Sequence, residues 1–218
     1  MSIIPICLRP WTSFELDDGK DGWGYVRPCC WAHVNVGDIK TSSFSQIWNG
    51  PGYVNFREHM LSGDLEGYCP PLCPKLTPSS KDLRLYLGHL IRNPIRNHLL
   101  NLLEIVRGST ILHSTPLQLK ISPTLSCNLR CIMCFQSHDA RLQLSDHVLT
   151  DIFTMLPKVQ LLQVQGGEVF ASNVGLAFLE RLITVEHQPI VGIITNGTFP
   201  ISQGWKLLKH LNLGWIII

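Results

Sequence analysis

Leu117-Gln118-Leu119-Lys120-Ile121 alternates apolar and polar side chains and leads shortly into Ser126-Cys127-Asn128-Leu129-Arg130-Cys131-Ile132-Met133-Cys134-Phe135. The alternation is that of a half-buried strand, so Cys127, Cys131 and Cys134 lie in the loop that follows a strand end. Their spacing is Cys-x3-Cys-x2-Cys, and the number three matters more than the spacing. A four-iron cluster is normally held by four thiolates. Three leave one iron with an open position, and an open metal position is where a substrate or cofactor can bind. Two other readings compete. The triplet would also supply three ligands of a zinc site with His138 as the fourth, or it would supply disulfide partners. Disulfides need an oxidising compartment. The N-terminus, Met1-Ser2-Ile3-Ile4-Pro5, has neither the basic nor the long apolar segment of a secretory signal, which points to the cytoplasm.

Working outward, Leu144, Val148, Ile152, Met155 and Leu156 fall at helical spacing over Ser145–Leu156, with Ser145 placed as an N-cap and Pro157 as the stop. Val159–Val164 reads as a strand running into Gly166-Gly167-Glu168. A helix over about 174–185 carries Leu176, Leu179, Leu182 and Ile183 on one face. A strand over Ile190–Thr195 ends at Asn196-Gly197, a helix covers about 202–211, and the apolar run Trp215-Ile216-Ile217-Ile218 closes the chain. Strands alternating with helices mean a parallel α/β sheet or barrel. Functional loops in such folds lie at the carboxyl ends of the strands. The cysteine triplet, Gly166-Gly167-Glu168 and Thr195-Asn196-Gly197 all occupy that position.

The triplet in this setting resembles the signature of the radical S-adenosylmethionine (radical SAM) enzymes. The resemblance implies that the open iron takes the amino and carboxylate groups of SAM. The reduced cluster passes an electron to the sulfonium, and the resulting 5′-deoxyadenosyl radical takes hydrogen from a substrate. Met133 stands where the family often has an aromatic residue. Gly166-Gly167-Glu168 resembles the family's Gly-Gly-Glu element, which holds the SAM amino group, with Val169 in place of the usual Pro. Glycines admit close backbone approach, and a carboxylate can pair with an ammonium. Asn196 is a further cofactor-binding candidate, because the family often has a similar turn beside SAM. No residue is assigned a catalytic role.

Five of the eight cysteines lie in the first part of the chain: Cys7, Cys29, Cys30, Cys69 and Cys73. Around them run Gly24-Tyr25-Val26-Arg27-Pro28-Cys29-Cys30, Val36-Gly37-Asp38-Ile39, Phe44-Ser45-Gln46-Ile47-Trp48-Asn49 and Cys69-Pro70-Pro71-Leu72-Cys73. This resembles the SPASM/Twitch auxiliary cluster domain, placed before the core instead of after it, with a first gap, Cys7 to Gly24, slightly longer than usual. The resemblance implies that Cys7, Cys29, Cys69 and Cys73 saturate a second [4Fe-4S] cluster. Gly-x4-Cys favours Cys29 over its neighbour, and Cys30 is expected as a buried thiol. A four-cysteine structural zinc site is the alternative. Trp48 and Phe56 are expected to pack a small core.

Between the two regions, Lys75–Ser80 has linker composition. Leu83, Leu87, Leu90 and Ile91 suggest a helix broken at Pro94, and a second helix is predicted from about 95 to 106. Arg84, Arg92, Arg96 and Arg107 are expected on a solvated face. A net charge of +2 gives no reason to expect nucleic acid, and no segment has the apolar length of a membrane span.

The expected organisation is therefore a small α+β cysteine-rich SPASM/Twitch-like domain over 1–77, a helical linker over 78–115, and the first half of a partial (β/α)6 radical SAM barrel over 116–218. The 103 residues from Pro116 to Ile218 suffice for three strand–helix units and one strand at about 31 residues per unit. A bare apolar strand at the end of a chain is a liability, so the core reads as incomplete, with the contacts for the SAM ribose and adenine beyond Ile218 and the chain alone inactive. The cofactors implied are a [4Fe-4S] cluster, SAM and a second [4Fe-4S] cluster. The partners implied are a peptide or protein substrate and an electron donor such as flavodoxin or ferredoxin. The competing reading is a non-catalytic iron–sulfur or zinc-binding protein, or an inactive fragment.

Overall fold

The computed structural model describes residues 5–18, 23–74, 96–136, 139, 141–198 and 201–218. The linker at Lys75–Ser80, the helix expected around Leu83–Ile91, and His138 lie outside the described residues. The chain divides into two compact units. One comprises residues 1–15 and 25–117, the other residues 16–24 and 118–218.

The first unit contains α1 (Arg9–Thr12), all but the last residue of β1 (Ser13–Leu16), β2 (Tyr25–Arg27), β3 (Gly37–Asp38), α2 (Phe44–Trp48), α3 (Pro51–Ser62) and α4 (Arg96–Arg107). The strands lie in the order β3-β2-β1, with β2 and β3 antiparallel. Local sequence sets the helix ends. Ser43 and Gln46 form a capping box at the start of α2. Pro51 opens α3, and Gly63, at φ +82°, closes it by donating its N–H to His59 O.

The core of this unit is aromatic. Phe14 stacks on Phe44 at 4.0 Å, and Trp48 meets Tyr53 edge-on at 4.7 Å. Trp48 and Phe56 are both buried, as their sequence context suggests. Arg57 is buried too, its guanidinium 4.5 Å from the Trp48 ring and 5.0 Å from the Tyr53 ring. Burial lowers its pKa to about 10.

Side-chain bonds hold the stretch 109–115 to the rest of the unit. Trp48 Nε1 donates to Ser114 O, Arg57 donates to Thr110 O, and Asn49 exchanges two bonds with the Leu112 backbone. Helix α4 covers the span predicted for it but orients unusually. It buries Asn97, Asn101 and Glu104 and exposes Leu99, Leu103 and Val106. The buried amides and carboxylate are satisfied by Thr115, Trp11 and Ser114. Arg96 and Arg107 face solvent.

The second unit carries β4 (Gln118–Ile121), α5 (Asp146–Met155), β5 (Leu161–Val164), α6 (Asn173–Ile183), β6 (Ile190–Ile194), α7 (Ile201–Leu208) and β7 (Leu213–Ile217). The strands pair in sequence order and all are parallel, with a helix in each connection as parallel pairing requires. Leu119, Ile121, Leu162, Val164, Val191 and Ile193 are buried on one face. Each such side chain contributes about 1.5–3 kcal/mol by leaving water. The opposite face carries one register-matched row across the sheet, Lys120, Gln163, Gly192 and Trp215. Gly192 has no side chain because the Trp215 indole occupies the space a Cβ would need.

Two strand starts differ from the sequence reading. β5 starts at Leu161, since Leu156–Lys158 form a 3-10 turn after α5 and the Val159 N–H closes on Leu156 O. β7 starts at Leu213, two residues before the apolar run. Ser145 is the N-cap of α5 by position, but its side chain makes no capping bond. Among the described residues no helix is long and apolar enough to cross a membrane.

Candidate metal centres

In the second unit the chain after β4 does not break away from the sheet at once. The Gln165 N–H donates to Ile121 O, the Gly167 N–H to Thr124 O at 2.9 Å, and the Glu168 N–H to Ser126 O at 2.8 Å. The end of β5 therefore tracks the segment 121–126 up to the residue before Cys127. On its other side that segment closes against 142–144, through Leu125 N to Leu142 O and Leu144 N to Pro123 O.

The two glycines make this approach possible. Gly166 sits at φ +123°, and a Cβ on it would stand 2.5 Å from Thr124 O. A Cβ on Gly167 would overlap Ser126 O and stand 2.5 Å from the Ser126 carbonyl carbon. The closeness these glycines admit is thus to the chain's own backbone at the base of the cysteine loop.

Glu168 is fully buried. Its carboxylate accepts from Thr195 Oγ1 at 2.8 Å, from the Asn196 N–H at 2.7 Å and from the Phe170 N–H at 3.1 Å. Charge-assisted bonds of this kind are the strong ones, and here they join the end of β5 to the end of β6. Asn196 in turn reaches the cysteine loop. Its Nδ2 lies 3.8 Å from Cys127 Sγ and 3.0 Å from Asn128 Oδ1, and Asn128 Nδ2 donates to Thr198 Oγ1 at 2.7 Å. The loops after β4, β5 and β6 are thereby one hydrogen-bonded assembly. Cys127 and Cys134 are half-buried and Cys131 is exposed, with Ile132, Met133 and Phe135 also exposed beside them. The Cys134 N–H closes a turn on Cys131 O at 3.0 Å.

In the first unit Cys7, Cys29, Cys69 and Cys73 are all buried. Burial pushes the Cys29 thiol up to about 12, against a lowering from the Trp31 backbone hydrogen bond and with further raising by Glu15, Cys7 and Cys30. Burial likewise pushes Cys69 up to about 11, with Cys73 and Cys7 adding to it. Cys7 lies within electrostatic reach of both Cys29 and Cys69, and Cys73 within reach of Cys69. The Cys69 N–H bonds to Leu65 O and the Cys73 N–H to Pro70 O, which turns the Cys69–Cys73 segment back on itself. All eight cysteines are free thiols.

Residues 7–74 match the family model of the SPASM iron-sulfur cluster-binding domain. The chain thus contains a SPASM region, and iron–sulfur binding is its indicated property. No curated protein and no solved structure matches the chain.

The donor set of the SPASM region fits such a centre. Four buried thiols are costly to ionise alone, and a bound cluster removes that cost by replacing their protons with iron. Among the described residues no three His, Cys, Asp or Glu side chains stand as a metal-holding group. Cys30 differs from expectation. It is exposed and not buried, because the chain turns after Cys29, with the Ala32 N–H closing on Cys29 O, and leaves the second thiol outward. The sequence reading missed Thr195, Asn128 and Thr198. Thr195-Asn196-Gly197-Thr198 shows only a turn signal in the sequence, and nothing there indicates that a buried Glu168 requires hydroxyl and amide donors from it.

Proposed function

We propose that this chain is part of a radical SAM enzyme. In this reading Cys127, Cys131 and Cys134 hold a [4Fe-4S] cluster with one open iron, and Cys7, Cys29, Cys69 and Cys73 hold a second, auxiliary [4Fe-4S] cluster. The observation that carries the reading is the meeting of three strand-end loops. The segment before Cys127 is clamped by Gly166-Gly167-Glu168, and Cys127 Sγ receives the Asn196 amide. The SPASM match supports it, since such domains occur in radical SAM enzymes.

When bound, the cluster supplies an electron for reductive cleavage of SAM. The chain's own residues hold and tune that site. Hydrogen bonds to cluster sulfurs raise reduction potentials, and the Asn196 amide is aimed at Cys127. Glu168 fixes the Asn196 turn from behind with its buried carboxylate. Gly166, Gly167 and Glu168 would hold the SAM amino group at this end of β5. The exposed side of the loop leaves Cys131 open to cluster delivery and to an electron donor such as flavodoxin or ferredoxin. A peptide or protein is the substrate class that the auxiliary domain suggests.

The test is anaerobic reconstitution of the wild type and of the Cys127→Ala, Cys131→Ala, Cys134→Ala triple variant. The variant should hold about four fewer irons, and SAM should alter the electron paramagnetic resonance signal of the reduced wild type alone. Equal iron in both proteins would refute the first cluster. Zinc in place of iron would assign the triplet to a structural site.

A further inference from the structure

The segment 16–24 lies within the SPASM match, yet it belongs to the second unit. Its Asp18 is buried, at 4% exposure. A carboxylate is expensive to bury without donors, and two amides supply them. Gln136 Nε2 donates to Asp18 Oδ2 at 3.0 Å, and Gln165 Nε2 donates to the same oxygen at 2.6 Å. The direction of the second amide is fixed, since Gln165 Oε1 accepts from Gln163 Nε2 at 2.6 Å. A chain of bonds therefore runs from Gln163 through Gln165 to Asp18 and on to Gln136.

Its ends matter. Gln165 immediately precedes Gly166, and Gln136 lies two residues beyond Cys134. The N-terminal limb of the cysteine loop is clamped by the backbone of Gly167 and Glu168 and by Asn196. The C-terminal limb carries Met133 and Phe135 exposed. There Gln136 is tied to the sheet by a residue 118 positions away in sequence.

We propose that Asp18 is a positioning residue for the triplet centre. It draws Gln136 toward the end of β5 and so fixes where Cys134 stands relative to Cys127. The segment that carries it makes the SPASM region a contributor to the geometry of the second unit's cysteine loop, in addition to its own thiols. This rests on the reading that the triplet holds a cluster. Outer groups that orient metal ligands typically matter by about 10- to 100-fold in metal affinity.

The experiment uses the full chain, reconstituted anaerobically, and follows iron release to a chelator. Iron belonging to the triplet is defined as that missing from the Cys127→Ala, Cys131→Ala, Cys134→Ala variant. Asp18→Ala and Gln136→Ala should each accelerate release of that iron on the order of tenfold. The double variant should be no faster than Asp18→Ala alone, because Gln136→Ala removes only a bond that Asp18→Ala has already broken. Asp18→Asn keeps an acceptor oxygen and should restore most of the retention, along with the wild-type electron paramagnetic resonance line. Gln136→Ala removes the same bond from a half-buried loop position, so it remains informative if Asp18→Ala folds poorly. Wild-type release rates in Gln136→Ala would overturn the proposal, as would additive effects in the double variant. A wild type holding no more iron than the triple variant would instead overturn the cluster reading beneath it.

Discussion

Replacing Gly167 by alanine tests whether the second glycine is there for the base of the cysteine loop. The added Cβ would overlap Ser126 O and stand 2.5 Å from the Ser126 carbonyl carbon and 2.7 Å from that of Leu125, where real contacts stay above 3.0 Å. These are backbone atoms with no rotamer to change, so the segment 125–126 must retreat. Retreat stretches two bonds, Gly167 N–H to Thr124 O at 2.9 Å and Glu168 N–H to Ser126 O at 2.8 Å. Each is worth about 0.5–1.5 kcal/mol net, and the displacement adds strain, so the expected loss is about 2–4 kcal/mol. Ser126 directly precedes Cys127, so the triplet's iron should be lost selectively while the iron of the SPASM region stays. Urea unfolding and iron analysis of Gly167→Ala read both quantities. Gly63→Ala is the control, since it has positive φ but nothing within 4 Å of its Cβ, and it should cost only about 1–2 kcal/mol and leave both irons. A Gly167→Ala protein with wild-type stability and full triplet iron would refute the reasoning.

Three further outcomes follow from particular side chains. Cys29→Ala should abolish metal in the SPASM region while Cys30→Ala retains it, since only Cys29 is buried with the other three thiols; iron per chain decides, and the reverse result would exchange their roles. Thr195→Val removes the hydroxyl shared by both Glu168 oxygens and should cost about 1.5–3 kcal/mol in urea with an unchanged m-value; an unmoved midpoint would show that the Asn196 N–H suffices. The metal-free protein should lose stability as pH rises above 9. The unfolded Cys29 thiol ionises from its ordinary 9.0 while the folded one holds its proton to about 12, so this contribution is intact below pH 9 and falls by about 1.4 kcal/mol per pH unit above it. Unfolding of reduced apoprotein at pH 8 and 10 checks the slope, and a flat profile would contradict the burial of Cys29.

Much of the second unit is legible in the sequence because parallel strands leave strong marks. Buried Leu162, Val164, Val191 and Ile193 make short apolar runs, and each run ends in a loop with distinctive residues. The four thiols of the SPASM region are legible through their spacing with Gly24, Gly37 and Trp48. Other features depend on distant contacts that local pattern does not encode. Helix α4 would be expected to bury its leucines, yet tertiary bonds to Ser114, Thr115 and Trp11 turn its polar side inward. The passage of residues 16–24 into the second unit leaves only a slightly long gap after Cys7. The role of Gly192 depends on Trp215 in another strand, and the buried position of the Glu168 carboxylate depends on donors supplied 27 residues later.

The contrast between the two cysteine sets dictates an order of assembly. In the proposed reading Cys7, Cys29, Cys69 and Cys73 are buried, so their centre would fill most readily before the first unit closes and would empty slowly afterwards. The Cys127 loop has a solvent-facing thiol at Cys131, and it can be filled, emptied and refilled on a finished fold. Maturation would thus pass through a species with the buried centre complete and the outer one vacant, and damage by oxidants would return the protein to that same species.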